Sequence, residues 1–186
     1  MKKALPFLTL LWLLSACGGS EKPDVVTFKS GAYGSKAGQF IIEFPGKPQV
    51  STHPFNFGTM EGEQYTFRYK IGNEYLYAVS YVDFSPTLLA SWDMEQLFDQ
   101  NIKVFTSGLD AYNLQDRQVN DEKMYEKSIS YTLYAPATGS MAKLKFLRYG
   151  DRIYQISFSC DRNQPPKDEI DQFFNSFNIY QPKQSN

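Results

Sequence analysis

Three runs in the second half of the chain, residues 125–134, 141–149 and 152–160, alternate apolar with polar side chains and are separated only by residues 135–140 and by Gly150-Asp151. Alternation with period two sends every second side chain to the same face of a strand, and connectors this short join only antiparallel neighbours. The chain is therefore predicted to fold around an antiparallel meander. An earlier pair repeats the pattern. Residues 64–71 set Tyr65, Phe67, Tyr69 and Ile71 against Thr66, Arg68 and Lys70, Gly72-Asn73 turns the chain, and residues 75–84 return it as a hairpin.

Shorter signals complete the set. Residues 39–44 (QFIIEF) read as a compact strand stopped by Pro45-Gly46-Lys47-Pro48, and residues 113–119 as a weak strand. Asp93 is a fair helix N-cap with Gln96 three residues on, and Met94, Leu97, Phe98, Ile102 and Phe105 follow at helical spacing until Gly108. Pro165-Pro166 precedes a second helix over residues 167–175, where Ile170, Phe173, Phe174 and Phe177 mark one apolar face. Residues 177–180 close the chain as a last strand. Antiparallel strands with two separated amphipathic helices predict an α+β fold, an antiparallel β-sheet flanked by helices, rather than a doubly wound parallel one.

The N-terminus has another character. Lys2 and Lys3 precede about eleven mostly apolar residues, 4–14, the length of a signal-peptide core and too short for the roughly twenty that span a bilayer. Leu14-Ser15-Ala16-Cys17 then resembles the lipobox of bacterial lipoproteins. That resemblance implies cleavage before Cys17, a diacylglycerol on its sulfur and an acyl chain such as palmitate on the new amino group. Each buried methylene adds about 0.8 kcal/mol of membrane affinity, so two or three chains hold firmly. The expected location is the cell envelope, with the membrane as partner through the lipid anchor. Gly18 in place of an aspartate after the cysteine favours the outer membrane over the inner.

The expected organisation is a signal peptide at 1–16, a flexible tether at 17–38 and one domain at 39–181. Residues 20–38 are polar and glycine-rich, with Val25, Val26 and Phe28 as their apolar cluster and room for one short strand. About 170 residues remain after cleavage, enough for one well-buried core. Loss of Lys2 and Lys3 leaves 17 basic against 20 acidic groups, a net charge near −3. Acids and bases alternate along the chain, which argues against a nucleic-acid partner.

No residue set in the sequence argues for catalysis, a cofactor or a metal. With Cys17 lipidated, Cys160 has no cysteine to pair with, and the alternation of Tyr154, Ile156, Phe158 and Cys160 reads it as a small buried hydrophobe. His53, in a Thr-His-Pro segment read as a loop, has no second ligand at metal spacing. Asp110, Asp116, Asp121 and Glu122 surround one expected loop and strand and read as solvated surface, without a nucleophile or calcium-loop pattern beside them. The tyrosines 65, 69, 77, 81, 131 and 154 fit half-buried sheet positions, although tyrosine also suits protein interfaces.

A second resemblance covers about residues 39–180. It rests on Phe44-Pro45-Gly46-Lys47-Pro48 after the first strand, on Tyr77, Val79, Tyr81 and Asp83 before a helix, on Arg148 with Arg152-Ile153-Tyr154, and on Phe174-Asn175-Ser176-Phe177-Asn178-Ile179. Together they resemble a group of secreted bacterial proteins of unknown function with the PsbP/Mog1-like α-β-α sandwich. The resemblance implies a non-enzymatic accessory protein that serves a larger complex, here one with an envelope protein as partner; it does not extend to a photosystem role. Two other readings are a periplasmic small-ligand carrier, using a sheet–helix pocket lined by Phe98, Ile102 and Phe105, and a hydrolase.

Overall fold

The computed structural model describes residues 23–57, 60–108, 112–120, 127–161 and 167–181. The elements are β1 (Val26–Thr27), β2 (Tyr33–Ser35), β3 (Phe40–Ile42), β4 (Gln49–Phe57), β5 (Met60–Ile71), β6 (Tyr75–Asp83), α1 (Pro86–Ala90), α2 (Met94–Gly108), β7 (Asn113–Asn120), β8 (Ser128–Ala135), β9 (Ser140–Tyr149), β10 (Arg152–Cys160), α3 (Lys167–Asn175) and β11 (Asn178–Ile179). The fold is β-rich and its strand pairs are antiparallel. A seven-stranded sheet runs β4-β5-β6-β10-β9-β8-β7, and a four-stranded one β1-β2-β3-β11.

The buried stripe of the large sheet changes face between β10 and β9. Tyr154, Ile156 and Phe158 of β10 lie opposite Tyr81, Val79 and Tyr77 of β6, with Phe67 of β5 beyond Val79. Directly opposed residues share a face, so these side chains form one apolar surface. The small sheet, through Phe40 and Ile42, and α3, through Ile170, Phe173 and Phe174, cover it. On β9, however, Lys143 and Lys145 lie opposite Phe158 and Ile156. Leu147, near the end of β9, stays with the first core opposite Tyr154, but Ala142, Leu144 and Phe146 face the other way with Leu133, Tyr131 and Ile129 of β8. There Leu97, Phe98 and Ile102 of α2 cover them. Two cores thus sit on opposite faces of one sheet, offset along it.

The helical layers differ from those of the expected sandwich. One face carries α2; the other carries a second sheet together with α3. The expected tether also changes. Residues 24–38 contain β1 and β2, and Pro23, Ala32, Ser35 and Gly38 are buried, while Val25 and Tyr33 pack on the first core. The reason is that β3 has only three residues and cannot form a layer without a neighbour. β2 supplies it, with Gly34 opposite Ile41 so close to the Phe40 carbonyl that an added Cβ would run into it. At the other end, Tyr180 donates its backbone N–H to the Gln39 carbonyl at 2.9 Å and packs on Phe28.

Two further differences are local. His53 lies on β4 opposite Gln64 rather than in a loop; β4 is an edge strand, where the missing N–H of Pro54 is tolerated. Pro86 does not only end β6 but opens α1, with Ser85 as N-cap accepting from the Leu88 N–H. The helices over 94–108 and 167–175 and the strand over 152–160 lie where the periodicity puts them. Asp93 Oδ1 caps α2 by accepting from the N–H groups of Glu95 and Gln96 at 2.9 and 3.3 Å.

Candidate functional site

The polar residues singled out in the sequence do not assemble into one site in the described structure. Cys17, Asp110, Asp121 and Glu122 lie outside the described residues, as does the side chain of Phe105. Asp116 is exposed on β7 and accepts from Gln118 Nε2 at 2.7 Å. His53 is exposed, with Ser51 Oγ 3.1 Å from its Nε2. Cys160 is 2% exposed within the first core, as the alternation of its strand predicts. Among the described residues no three His, Cys, Asp or Glu side chains are grouped to hold a metal ion.

A narrow cleft opens where α2 leaves the large sheet. The register explains its origin. Phe146 of β9 is apolar on the α2 face, but its neighbour on β10 is Gln155 and the next residue, on β6, is Ser80. The helix follows the apolar strands β8 and β9 and ceases to cover the sheet where the polar ones begin. Leu97, Phe98 and Asn101 of α2 form one wall, and Phe146, Ile153 and Val82 the floor. Phe55 and Phe84 stand at the lip with ring centroids 5.6 Å apart and planes at 79°. Polar groups converge there: Gln64, Ser80 and Gln155 from the sheet, and Asn101, whose Nδ2 donates to the Leu97 carbonyl at 3.0 Å. Ser80 shares a hydrogen bond with Thr66 at 2.9 Å.

Size decides what the cleft can hold. Its volume is about 50 Å³, a third of the roughly 150 Å³ of an apolar cavity that takes up benzene. The cleft is small for a metabolite. Of the residues expected to line a carrier pocket, Phe98 lies on the cleft wall and Ile102 is buried in the second core.

Two charged clusters brace the elements of the large sheet, one on each face. Arg117 of β7 donates Nε to Asp99 Oδ1 at 2.9 Å and Nη2 to Glu95 Oε2 at 3.2 Å, and Lys127 reaches Glu95 Oε1 at 3.1 Å. Tyr131 donates its hydroxyl to Asp99 Oδ1 at 2.7 Å. These contacts tie α2 to β7 and β8. The Arg117 hydrogen bond holds the Asp99 carboxyl below the usual carboxylate range. On the other face of the large sheet, Arg152 forks onto Asp83 and donates Nη1 to the Ala37 carbonyl at 2.8 Å. Burial pushes up the phenols of Tyr81 and Tyr154, the latter to about 12. Tyr154 donates to the Gly38 carbonyl at 2.9 Å. Both clusters are fully engaged within the protein and act as braces.

Sequence reasoning did not find Gln64, Gln155 and Asn101. Their only signal was a polar residue on the face of a strand or helix that neighbours an apolar one, and pattern alone does not say which strands become neighbours. No protein-family model matches this sequence, and no curated protein matches it.

Proposed function

We propose that this chain is a lipid-anchored, non-enzymatic accessory module of the cell envelope, attached through Cys17 and built on a variant of the PsbP/Mog1-like α-β-α sandwich, with an envelope protein as partner. The observation that carries this reading is the position at which the folded body begins. Pro23 is already buried and β1 starts at Val26, so only residues 17–22 separate the lipidated cysteine from the domain. Six residues reach at most roughly 20 Å when fully extended. A domain on so short a lead works within a layer next to the bilayer, where it serves a membrane-bound complex rather than a distant soluble one. The outer membrane is the expected site, given Gly18 after the cysteine.

The cleft supports a binding role over carriage. It is small for a metabolite, but a single small apolar group from a partner, meeting the Gln64 and Gln155 amides, suits an aromatic-lipped notch of this kind.

Fractionation of cells carrying the wild-type chain and Cys17→Ser tests the anchor. The wild type should sediment with membranes and yield an acylated N-terminal peptide beginning at Cys17, and the variant should be soluble or unprocessed. An unmodified wild-type cysteine would overturn the anchor. A flexible insertion of about twenty residues after Gly19, adding roughly 25 Å of root-mean-square reach, tests proximity. It should preserve anchoring and reduce cross-linking to the partner; undiminished cross-linking would refute the membrane-proximal role.

A further inference from the structure

The turn at Pro45-Gly46-Lys47-Pro48 marks one side of a second concavity, on the uncovered part of the large sheet. Gly46 lies against the ring of Tyr69, so closely that an added Cβ would be 2.5 Å from its carbons. That contact sets the turn against Tyr69 of β5, and Lys47 at the turn lines the same groove as Arg68 and Lys70 of β5. The resulting groove, about 510 Å³, is lined by Lys47, Gln49, Arg68, Tyr69, Lys70 and Leu76. Arg68 and Lys70 are two apart on one face of β5, about 7 Å along the strand, with Gln49 of β4 opposite Arg68 and Leu76 of β6 opposite Lys70.

The charges in this groove are all of one sign. The lining holds three cations and no carboxylate, in a chain whose net charge is −1. The ion pairs of the described residues engage Arg117, Lys127, Lys143 and Arg152, whereas Lys47, Arg68 and Lys70 have no acidic partner among those residues. Lys70 Nζ donates to the neutral Asn73 Oδ1 at 3.1 Å. All three side chains are exposed, so their donors are available. A guanidinium offers a planar fork suited to two oxygens of a phosphate, and flanking ammonium groups add point charges. A concave surface bearing one sign of charge also focuses its field on a counter-ion.

We propose that this groove is a binding site for a phosphate-type anion, with Arg68 as the bidentate contact and Lys47 and Lys70 flanking it. The chemistry is common to a free phosphate ester and to the phosphodiester of an anionic lipid headgroup. The site does not depend on the lipid anchor.

The test is the rate at which an amine-acetylating reagent modifies Lys47 and Lys70 in the full chain, read by peptide mass spectrometry. Lys29 and Lys103 serve as internal controls. One arm adds inorganic phosphate against sodium chloride of equal ionic strength; the other compares vesicles of phosphatidylcholine alone with vesicles that include phosphatidylglycerol. At a phosphate concentration twice Kd, labelling of Lys47 and Lys70 should slow about threefold, with the controls unchanged, and Arg68→Ala should remove the protection while keeping the wild-type melting curve. Protection by free phosphate identifies a soluble phosphate ligand, and protection only by phosphatidylglycerol vesicles identifies a headgroup. Equal rates in every arm, equal protection by chloride, or protection that survives Arg68→Ala would overturn the site.

Discussion

The guanidinium of Arg152 lies over the ring of Tyr81, its central carbon 4.3 Å from the ring centroid. With its bonds to Asp83 and to the Ala37 carbonyl, this one side chain joins the start of β10, the end of β6 and the turn before β3. Arg152→Lys keeps the charge but removes the fork and the planar stack. It should lower stability by about 2 kcal/mol and the melting temperature by roughly 4–8 °C, measured by circular dichroism. An unchanged melt would show that the fork contributes nothing.

The Tyr77 hydroxyl is buried with no hydrogen-bond partner among the described residues, under Phe173 and beside Phe158. An unsatisfied buried hydroxyl costs about 1–3 kcal/mol. Tyr77→Phe should therefore raise the urea midpoint, by an amount equivalent to about 1 kcal/mol. A lower midpoint would show that the hydroxyl is bonded in solution.

Burial pushes the phenols of Tyr77 and Tyr154 up to about 12 from an ordinary value of 10.0. The folded state thus favours the neutral phenols, so their contribution to stability is complete below pH 10 and is lost as the pH rises through about 12. Phenolate absorbance during alkaline titration should show an early group of exposed tyrosines and a later group appearing together with unfolding. A single smooth titration of all 13 tyrosines around pH 10 would contradict this burial.

Asp99 has the opposite sign. Arg117 lowers its pKa, so its stabilisation is present above the ordinary aspartate value and is lost as the pH falls through the depressed one. The urea midpoint of the wild type should fall more steeply below about pH 4 than that of Asp99→Asn. Parallel curves would mean that the network to α2 is screened by solvent.

Gly34→Ala tests whether residues 24–38 belong to the folded body. An added Cβ would meet the Phe40 backbone carbonyl, which cannot rotate aside as a side chain can. The substitution should destabilise by about 1–3 kcal/mol and expose β2 and β3 to hydrogen exchange. A variant as stable as the wild type would return this segment to a tether.

Sequence pattern worked best where one strand or helix carries its own signal. The run from Arg152 to Cys160 shows unbroken alternation and is β10 over the same residues, and Ile170, Phe173 and Phe174 mark α3 without reference to its surroundings. β1 and β2 gave almost no such signal. They span two and three residues, too few to establish a period, and one position is a glycine needed for close approach. Likewise the proline that argued against a strand at His53-Pro54 is admissible only because β4 turned out to be an edge.

The sequence alone determined which side of the longer strands and helices is apolar, because that alternation is a local property of the chain, and it alone carries the lipobox-like Leu14-Ser15-Ala16-Cys17 run. Only the tertiary structure decided how those sides combine. Strand pairing set Lys143 of β9 opposite Phe158 of β10, and so moved the buried stripe from one face of the sheet to the other. From that switch follow the two offset cores and the cleft at Gln155 and Ser80 where α2 lifts away. Pairing joins residues distant in sequence, and no local pattern carries that information.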